Sequence, residues 1–295
     1  MKNKFLGVWL CSILFGSYVQ AQGDLLDLLG TETEKTYVTN AFKSPRVISG
    51  HSMEMLAAGA LDFRILHRFG KITQGYRDLF GLDNATMRMS FDYGISKNLT
   101  VGLGRSTFKK ELDGFAKYRI VQQSKGPKSF PMSILWVSGV TLNGLENPFS
   151  NPETKDNLVN RMAYFHQLIL GRKFSDRFTL QLAPTWIHSN VVANPLIPND
   201  LFAVELGARY KVSNRIAIVL DYNYTFNNYL NRVTTQPLSL GVDIETGGHV
   251  FQLHVSNATG MNERALMGEP NASWLDGDIQ FGFNLSRVFQ LRNRS

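Results

Sequence analysis

The sequence is almost without cysteine. Its one thiol, Cys11, falls inside the only continuous apolar run, Phe5 to Phe15. A chain with no further cysteine has no disulfide framework, and no Cys/His spacing suited to zinc is present. Long apolar runs are equally scarce. Eleven residues are too few to cross a bilayer as a helix, so a helical membrane protein is excluded. A phosphate loop and a dinucleotide fingerprint are missing too, and no cofactor or metal is expected. Lys and Arg number 31 against 24 Asp and Glu, a formal charge of +7. These cations are scattered rather than gathered into one stripe, which argues against nucleic acid as a partner.

The apolar run has a purpose of its own. It follows Lys2 and Lys4 and precedes Gly16, Ser17 and the small-residue site Val19-Gln20-Ala21. A basic start, an apolar middle and a small-residue exit make a secretory leader over residues 1–21, cut after Ala21. Bulky Val8-Trp9-Leu10 precedes Cys11, where a lipoprotein signal needs a small residue, so no lipid anchor is expected. Without Lys2 and Lys4 the net charge falls to +5.

What the sequence has in quantity is alternation. Mean hydropathy is −0.14, a value typical of soluble proteins, but a strand with one apolar face cancels itself in any averaging window. From Leu61 onward the apolar positions recur with period two. The ladders begin with Leu61-Phe63-Ile65-His67-Phe69 and Ala85-Met87-Met89-Phe91-Tyr93-Ile95, and end with Ile279-Phe281-Phe283-Leu285-Phe289. Twelve such segments of roughly ten residues can be counted. Their connections alternate in length. Ser96–Asn98, Ser175–Arg177, Ser213–Arg215 and Glu245–Gly248 are short. Gly70–Asp83, Asn143–Val159, Ser189–Asn199, Thr225–Gln236 and Ala258–Leu275 are long. Short turns at one end and long loops at the other are the habit of a bacterial barrel with both termini in the periplasm. Gln122–Phe130 is longer than its place in this scheme predicts.

Two further signals separate a membrane barrel from a soluble sandwich or lipocalin-like barrel. Ile95 to Val101, Phe174 to Leu180 and Val212 to Ile218 repeat one hairpin, a Ser-led three-residue loop that sets the flanking apolar residues opposite each other. Phe178 and Trp186 share a face eight residues apart, as do Phe202 and Tyr210 on the next strand. Eight residues rise about 26 Å along a strand, and tilt reduces this to roughly 20 Å of height. That spacing fits two aromatic girdles bordering a lipid band, made of Tyr164, Phe178, Trp186, Phe202, Tyr210, Tyr222 and Phe289. The expected fold is all-β, a transmembrane antiparallel up-and-down barrel of twelve strands over residues 57–290. Residues 22–56 form an N-terminal extension and 291–295 a tail.

The stretches HSMEMLAAGALDFRILHRFG (His51 to Gly70), LFGLDNATMRMSFDYGI (Leu79 to Ile95) and DIETGGHVFQLHVSNATGM (Asp243 to Met261) are long and specific. With VGLGRSTFKKELDGFAKYRIV (Val101 to Val121) and GDIQFGFNLSRVF (Gly277 to Phe289), they resemble an uncharacterised outer-membrane β-barrel family of Bacteroidetes-type bacteria. The resemblance runs from about Asp24 to Phe289. It implies an integral outer-membrane barrel, and it brings neither a substrate nor catalytic residues.

Function must then be read from the polar face of the strands. Arg64, Arg68, Arg88, Lys117, Arg119, Arg161 and Arg209 stand there against Asp62, Asp92, Glu205, Asp221, Asp243 and Asp278. Charges inside a barrel need water or partners. Near balance suits a cross-braced lumen, and separated signs would suit a pore constriction. Thr100, Gly102, Gly104 and Ser106, with Gly282, leave room for a solute or plug. The N-terminal extension, from the short amphipathic turn Asp24–Leu29 to the extended Tyr37–Ser52, either hangs in the periplasm or folds into the lumen and narrows it.

The leading expectation is a passive channel or small-solute uptake pore in the outer membrane, with lipid, the barrel-insertion machinery and a small solute as partners. The alternative is a closed structural or partner-binding barrel. A lipid hydrolase is the minor alternative, with a Ser and His on the lipid-facing surface. The Ser175–Arg177 register sets Tyr164 opposite His188 and His166 opposite Trp186, with the two histidines about 7–8 Å apart on the outer face. By this register no serine of that face reaches either histidine. They read as girdle residues, and no catalytic residue is assigned.

Overall fold

The computed structural model describes residues 34–149, 151–192, 198–226, 236–246, 249–269 and 272–292. The leader, the turn Asp24–Leu29 and the last three residues lie outside them. The strands are β1 (Thr36–Tyr37), β2 (Ala60–Lys71), β3 (Ala85–Ser96), β4 (Leu99–Ser106), β5 (Leu112–Val121), β6 (Ser124–Lys125) and β7 (Ser133–Leu142). They continue as β8 (Met162–Lys173), β9 (Phe178–Ser189), β10 (Asp200–Lys211), β11 (Ile216–Thr225), β12 (Leu238–Glu245), β13 (His249–Ser256) and β14 (Gln280–Gln290). One short helix, α1 (Glu263–Gly268), sits between β13 and β14.

All strands but β1 and β6 form a single closed barrel of twelve. Each pairs antiparallel with its neighbour in sequence, and β14 closes on β2 through pairs such as Leu285 with Ile65 and Phe289 with Leu61. Closure is what lets backbone groups cross a lipid layer, because no strand edge is left unpaired. Side-chain parity follows the alternation. Phe91, Leu103, Tyr118, Phe202, Ile218 and Tyr210 point outward and are exposed, while Arg88, Asp92, Lys117 and Asp221 on the opposite faces are buried.

The repeated hairpin holds in two of its three copies. Phe174 N–H donates to Phe178 O at 2.9 Å, and Val212 N–H to Ile216 O at 2.9 Å, so the flanking apolar residues stand opposite as expected. In the first copy a register shift pairs Ser96, not Ile95, with Leu99. The serine does the same job in all three, its Oγ accepting from the N–H two residues on, at Asn98, Arg177 and Arg215.

The overlong connection at the turn end has a structural reason. β6 lies within it and pairs with β1, Tyr37 opposite Ser124. Val38 N–H donates to Gln123 O, and Gln122 Nε2 to Val38 O, both at 2.9 Å. This connection therefore grips the chain just before it enters the barrel.

One expectation about the inner face needs correction. The inner face of β7 to β10 carries an apolar patch: Leu135, Val137, Phe165, Ile169, Ala183, Ile187, Leu201 and Ala203 are all buried there, beside the polar Gln167, Gln181, Thr185 and Glu205. Most of the inward charge lies on the other strands, with Glu205 and Arg209 of β10 at the border of the apolar patch. Across that patch both faces of the strands are apolar, as in a strand covered on two sides. The residues that cover the inner one come from outside the barrel strands.

Candidate functional site: the occupied lumen

Two elements fill the interior, one from each end. From the turn end, residues 40–56 rise into the lumen and return to β2. Their crest is a tight reversal, with Arg46 bridged to His51 and Val47 N–H donating to Gly50 O at 2.9 Å. Ala41, Phe42, Val47, Ile48, Met53 and Leu56 are buried, as are Ser49 and Ser52. From the loop end, the β13–β14 connection folds inward and buries Ala258, Met261, Ala265, Leu266 and Met267. Asn262 caps α1, its Oδ1 accepting from Ala265 N–H at 2.8 Å. Phe42, Met53, Leu266 and Met267 join the apolar inner wall in one cluster.

The polar wall holds the crest almost entirely by its main chain. Asp221 accepts from the N–H groups of Ser49 and Gly50 at 2.9 and 3.0 Å. Gln252 and Asn284 donate to the carbonyls of Val47 and Ile48 at 2.7 and 2.9 Å. Gln181 accepts from Met53 N–H and donates to His51 O. Lys117 donates to the carbonyls of Pro45 and Glu54 at 3.2 and 2.6 Å. A reversal with no strand partners of its own has backbone groups to satisfy, and the wall supplies them. Gly50 fits for a steric reason, since a β-carbon there would run into the Glu205 carboxylate.

The two elements meet at the centre. Arg46 Nη1 lies 2.8 Å from Glu263 Oε1, and His51 Nε2 lies 3.3 Å from the same oxygen. Arg46 also donates to Ser49 O at 2.6 Å, and His51 sits edge-on against Phe115 with 4.5 Å between ring centroids. Burial holds the His51 imidazole well below its ordinary pKa, and the nearby Arg46, Lys117, Arg88 and Arg64 add to that. Burial pushes Glu54 the other way, up, against the Ala41 N–H bond and Lys117, which pull it down. At the loop end Arg264 joins Glu111 and Glu269, and Lys109 reaches Glu269 at 2.6 Å. Burial raises the Glu111 carboxyl, with Arg264 and Asn262 opposing.

The residues singled out from the sequence divide as follows. Arg64, Arg68, Arg88, Asp92, Lys117, Glu205, Arg209, Asp221 and Asp243 face inward and are buried. Arg64 pairs with Asp62 at 2.6 Å, Arg88 with Asp113 through Nε at 2.9 Å, and Arg209 with Asp243 at 3.7 Å. Arg68 reaches Ser49 Oγ and carbonyls of the folded-in loop. Arg119 stands at the turn-end rim, bonded to Asn98 and Lys97 O. Arg161 is a correction. It precedes β8 and serves the loop, pairing with Asp156 and donating to Leu145 O, not facing the lumen. The room expected at Gly102 and Gly104 is taken by Phe115 and Arg88 side chains. Arg46, His51 and Glu263, the centre of the arrangement, escaped the sequence reading because they lie where no alternation assigns a face.

Tyr164, Phe178, Trp186, Phe202, Tyr210, Tyr222 and Phe289 all stand on the outward face. Tyr164 pairs with His188 and His166 with Trp186, as the register required. A second correction belongs to this surface. Ser138 of β7 stands directly opposite His166, and its Oγ lies 2.8 Å from His166 Nδ1. The β7–β8 register passes through the long Asn143–Val159 loop, so no short turn revealed this pair.

A family model described as a membrane bound beta barrel domain (DUF5777) matches residues 42–289. No curated protein matches the chain. Among solved structures, the NanC porin aligns with 77% of this chain and 98% of its own at 8% identity, with a TM-score of 0.49. The KdgM porin aligns with 79% of this chain and 99% of its own at 9% identity and a TM-score of 0.44. A mutant of the Rh. blastica porin covers 69% of this chain and 55% of its own at 13% identity, with a TM-score of 0.34.

Proposed function

The chain belongs to the DUF5777 family of membrane-bound β-barrel domains, and on that premise we propose that it is a small-solute channel whose path is closed at rest. Residues 40–56 and the β13–β14 loop are the closing elements. The outer membrane of a Bacteroidetes-type bacterium is its site, with both termini periplasmic, annular lipid around the girdles and Phe289 read by the insertion machinery.

One observation carries this reading. The crest is held by hydrogen bonds between its main chain and Asp221, Gln181, Gln252, Asn284 and Lys117, not by a covalent link or a strand ladder. Such bonds are worth about 1 kcal/mol each net, and about 1.5–3 kcal/mol where Asp221 or Lys117 is the partner, because water replaces them when they break. An occupant held this way is releasable, and the wall it leaves would be lined with charge on one side. Asp92, Ser90 and Thr100 on that wall also carry polar atoms without a protein hydrogen bond, which suits an interior that takes up polar guests.

The rival is a permanently closed structural barrel, favoured by the apolar cluster that seals the plug to β7–β10. Planar-bilayer recordings separate the two. The mature chain should conduct in rare, brief openings, and deletion of residues 36–52 should give a large steady conductance. A silent deletion variant that is folded would leave the closed barrel standing.

A further inference from the structure

The lipid-facing surface carries a feature that a channel does not need. A groove of about 590 Å³ crosses the outside of the barrel over β2 to β7. Its sides include Phe91, Leu103 and Val140, its floor is lowered by Gly114 and Ala116, and Ser138 opens into it. The groove is nearly all apolar, with a volume on the scale of an acyl chain. Ser138 is the polar exception.

That serine is partnered on two sides. Trp136 Nε1–H donates to its Oγ at 2.7 Å, and His166 Nδ1 lies 2.8 Å away. The Trp136 bond occupies one lone pair, and in the Nε2–H tautomer of His166 the hydroxyl hydrogen points at Nδ1. The imidazole is held between two indoles, stacked on Trp186 at 5.4 Å and tilted to Trp136 at 5.7 Å. Trp186 is fixed in turn by Asp200, which accepts its Nε1–H at 2.8 Å. Indoles cluster where the headgroups meet the acyl chains, and that is also the depth of glycerolipid and lipid A ester bonds. Nucleophile, base, acyl-sized groove and ester depth therefore coincide.

We infer that Ser138 and His166 form an acyl-transfer site for ester-linked lipid of the leaflet at the loop end. Ser138 Oγ attacks the ester carbonyl carbon as its proton passes to His166 Nδ1. The bond to the glycerol or glucosamine oxygen breaks, and that oxygen leaves with the proton from His166. Water then attacks the acyl-serine, giving its proton to His166, which passes it to Ser138 Oγ as the acyl–oxygen bond breaks and the fatty acid leaves. Trp136 Nε1–H, already aimed at the reacting atoms, is the donor placed to turn to the carbonyl oxygen. This activity is independent of the lumen.

The test uses the full mature barrel in detergent–lipid mixtures. One arm contains dioleoyl phosphatidylethanolamine and the other lipopolysaccharide, with fatty acid release read by mass spectrometry. Intact mass after treatment with a fluorophosphonate reports a reactive serine. Release in one arm identifies the lipid, and release in both identifies the ester alone as the determinant. Labelling and release should vanish in S138A and fall by about 10²-fold or more in H166A. L103W, which crowds the groove without touching the pair, should keep the label and lose release. Conductance of the residue 36–52 deletion should be the same with and without S138A, so a failed channel reading cannot be mistaken for a failed site. If S138A is misfolded by heat-modifiable migration, S138G takes its place. An unlabelled wild type, a label with no release from either lipid, or release that survives S138A would each overturn the assignment.

Discussion

Arg46 and Glu263 stand 217 residues apart in the chain and 2.8 Å apart inside the barrel. One belongs to the segment that rises from the turn end, the other to the helix folded in from the loop end. Their pairing makes closure a joint act of both ends. Both side chains are buried, so removal of one strands the other, at a cost of about 3–5 kcal/mol.

E263A should therefore free the crest. We expect a clear rise in open-channel time in planar bilayers, together with reaction of a thiol introduced at Ser49 with a water-soluble maleimide. The mature chain is expected to have no thiol of its own, so that label is unambiguous. An E263A channel as silent as wild type, with the Ser49 position still shielded, would show that the two elements close the lumen separately.

Gly50 tests the same contact from the other side. G50A pushes a methyl into the Glu205 carboxylate, and overpacking of this kind costs about 1–3 kcal/mol. The variant should open more often than wild type, and E205A added to it should restore closure because the methyl then has space. Equal opening in the single and double variants would place the strain elsewhere.

Closure should also depend on acidity, through two groups of opposite sign. His51 has a lowered pKa in the closed state, so closure is fully stable above about 6.5, the free imidazole value, and weakens as pH falls below it. Glu54 has a raised pKa in the closed state, so its contribution is present below about 4.5 and is lost as pH rises through the closed-state value. E54Q removes the second effect. In that background the closed fraction should fall as pH drops below about 6.5, by up to tenfold per unit. H51N in the same background should flatten the response, and a slope that survives H51N would assign the titration to another group.

Stability of the wall itself rests on pairs such as Arg88 with Asp113, buried and joined through two nitrogens. R88L leaves the Asp113 carboxylate without its main partner. We expect a loss of about 3–5 kcal/mol, read as a lower temperature of heat-modifiable unfolding in detergent. Adding D113L should recover most of it. A double variant as unstable as R88L would mean that the neighbouring carboxylates and arginines share the charge more widely.

The strands, their number and their outward faces were determined by the sequence alone. A period of two with apolar residues on one side, as in Ala85 to Ile95, admits only one assignment of faces once that side meets lipid. Short turns such as Ser175–Arg177 carry their register with them, which is why His166 opposite Trp186 was legible. Long connections carry none, which is why Ser138 opposite His166 was not. Where both faces are apolar, as around Leu135, Val137, Phe165 and Ile169, alternation is silent about what lies inside. The position of residues 40–56 was decided only in three dimensions. Their fate depends on a carboxylate at Asp221, amides at Gln181, Gln252 and Asn284, and an inner wall of Leu135, Phe165 and Ile169, brought together from six strands. Closure of the barrel is a local pattern repeated twelve times, while occupation of its lumen is a sum of contacts between residues far apart in the chain.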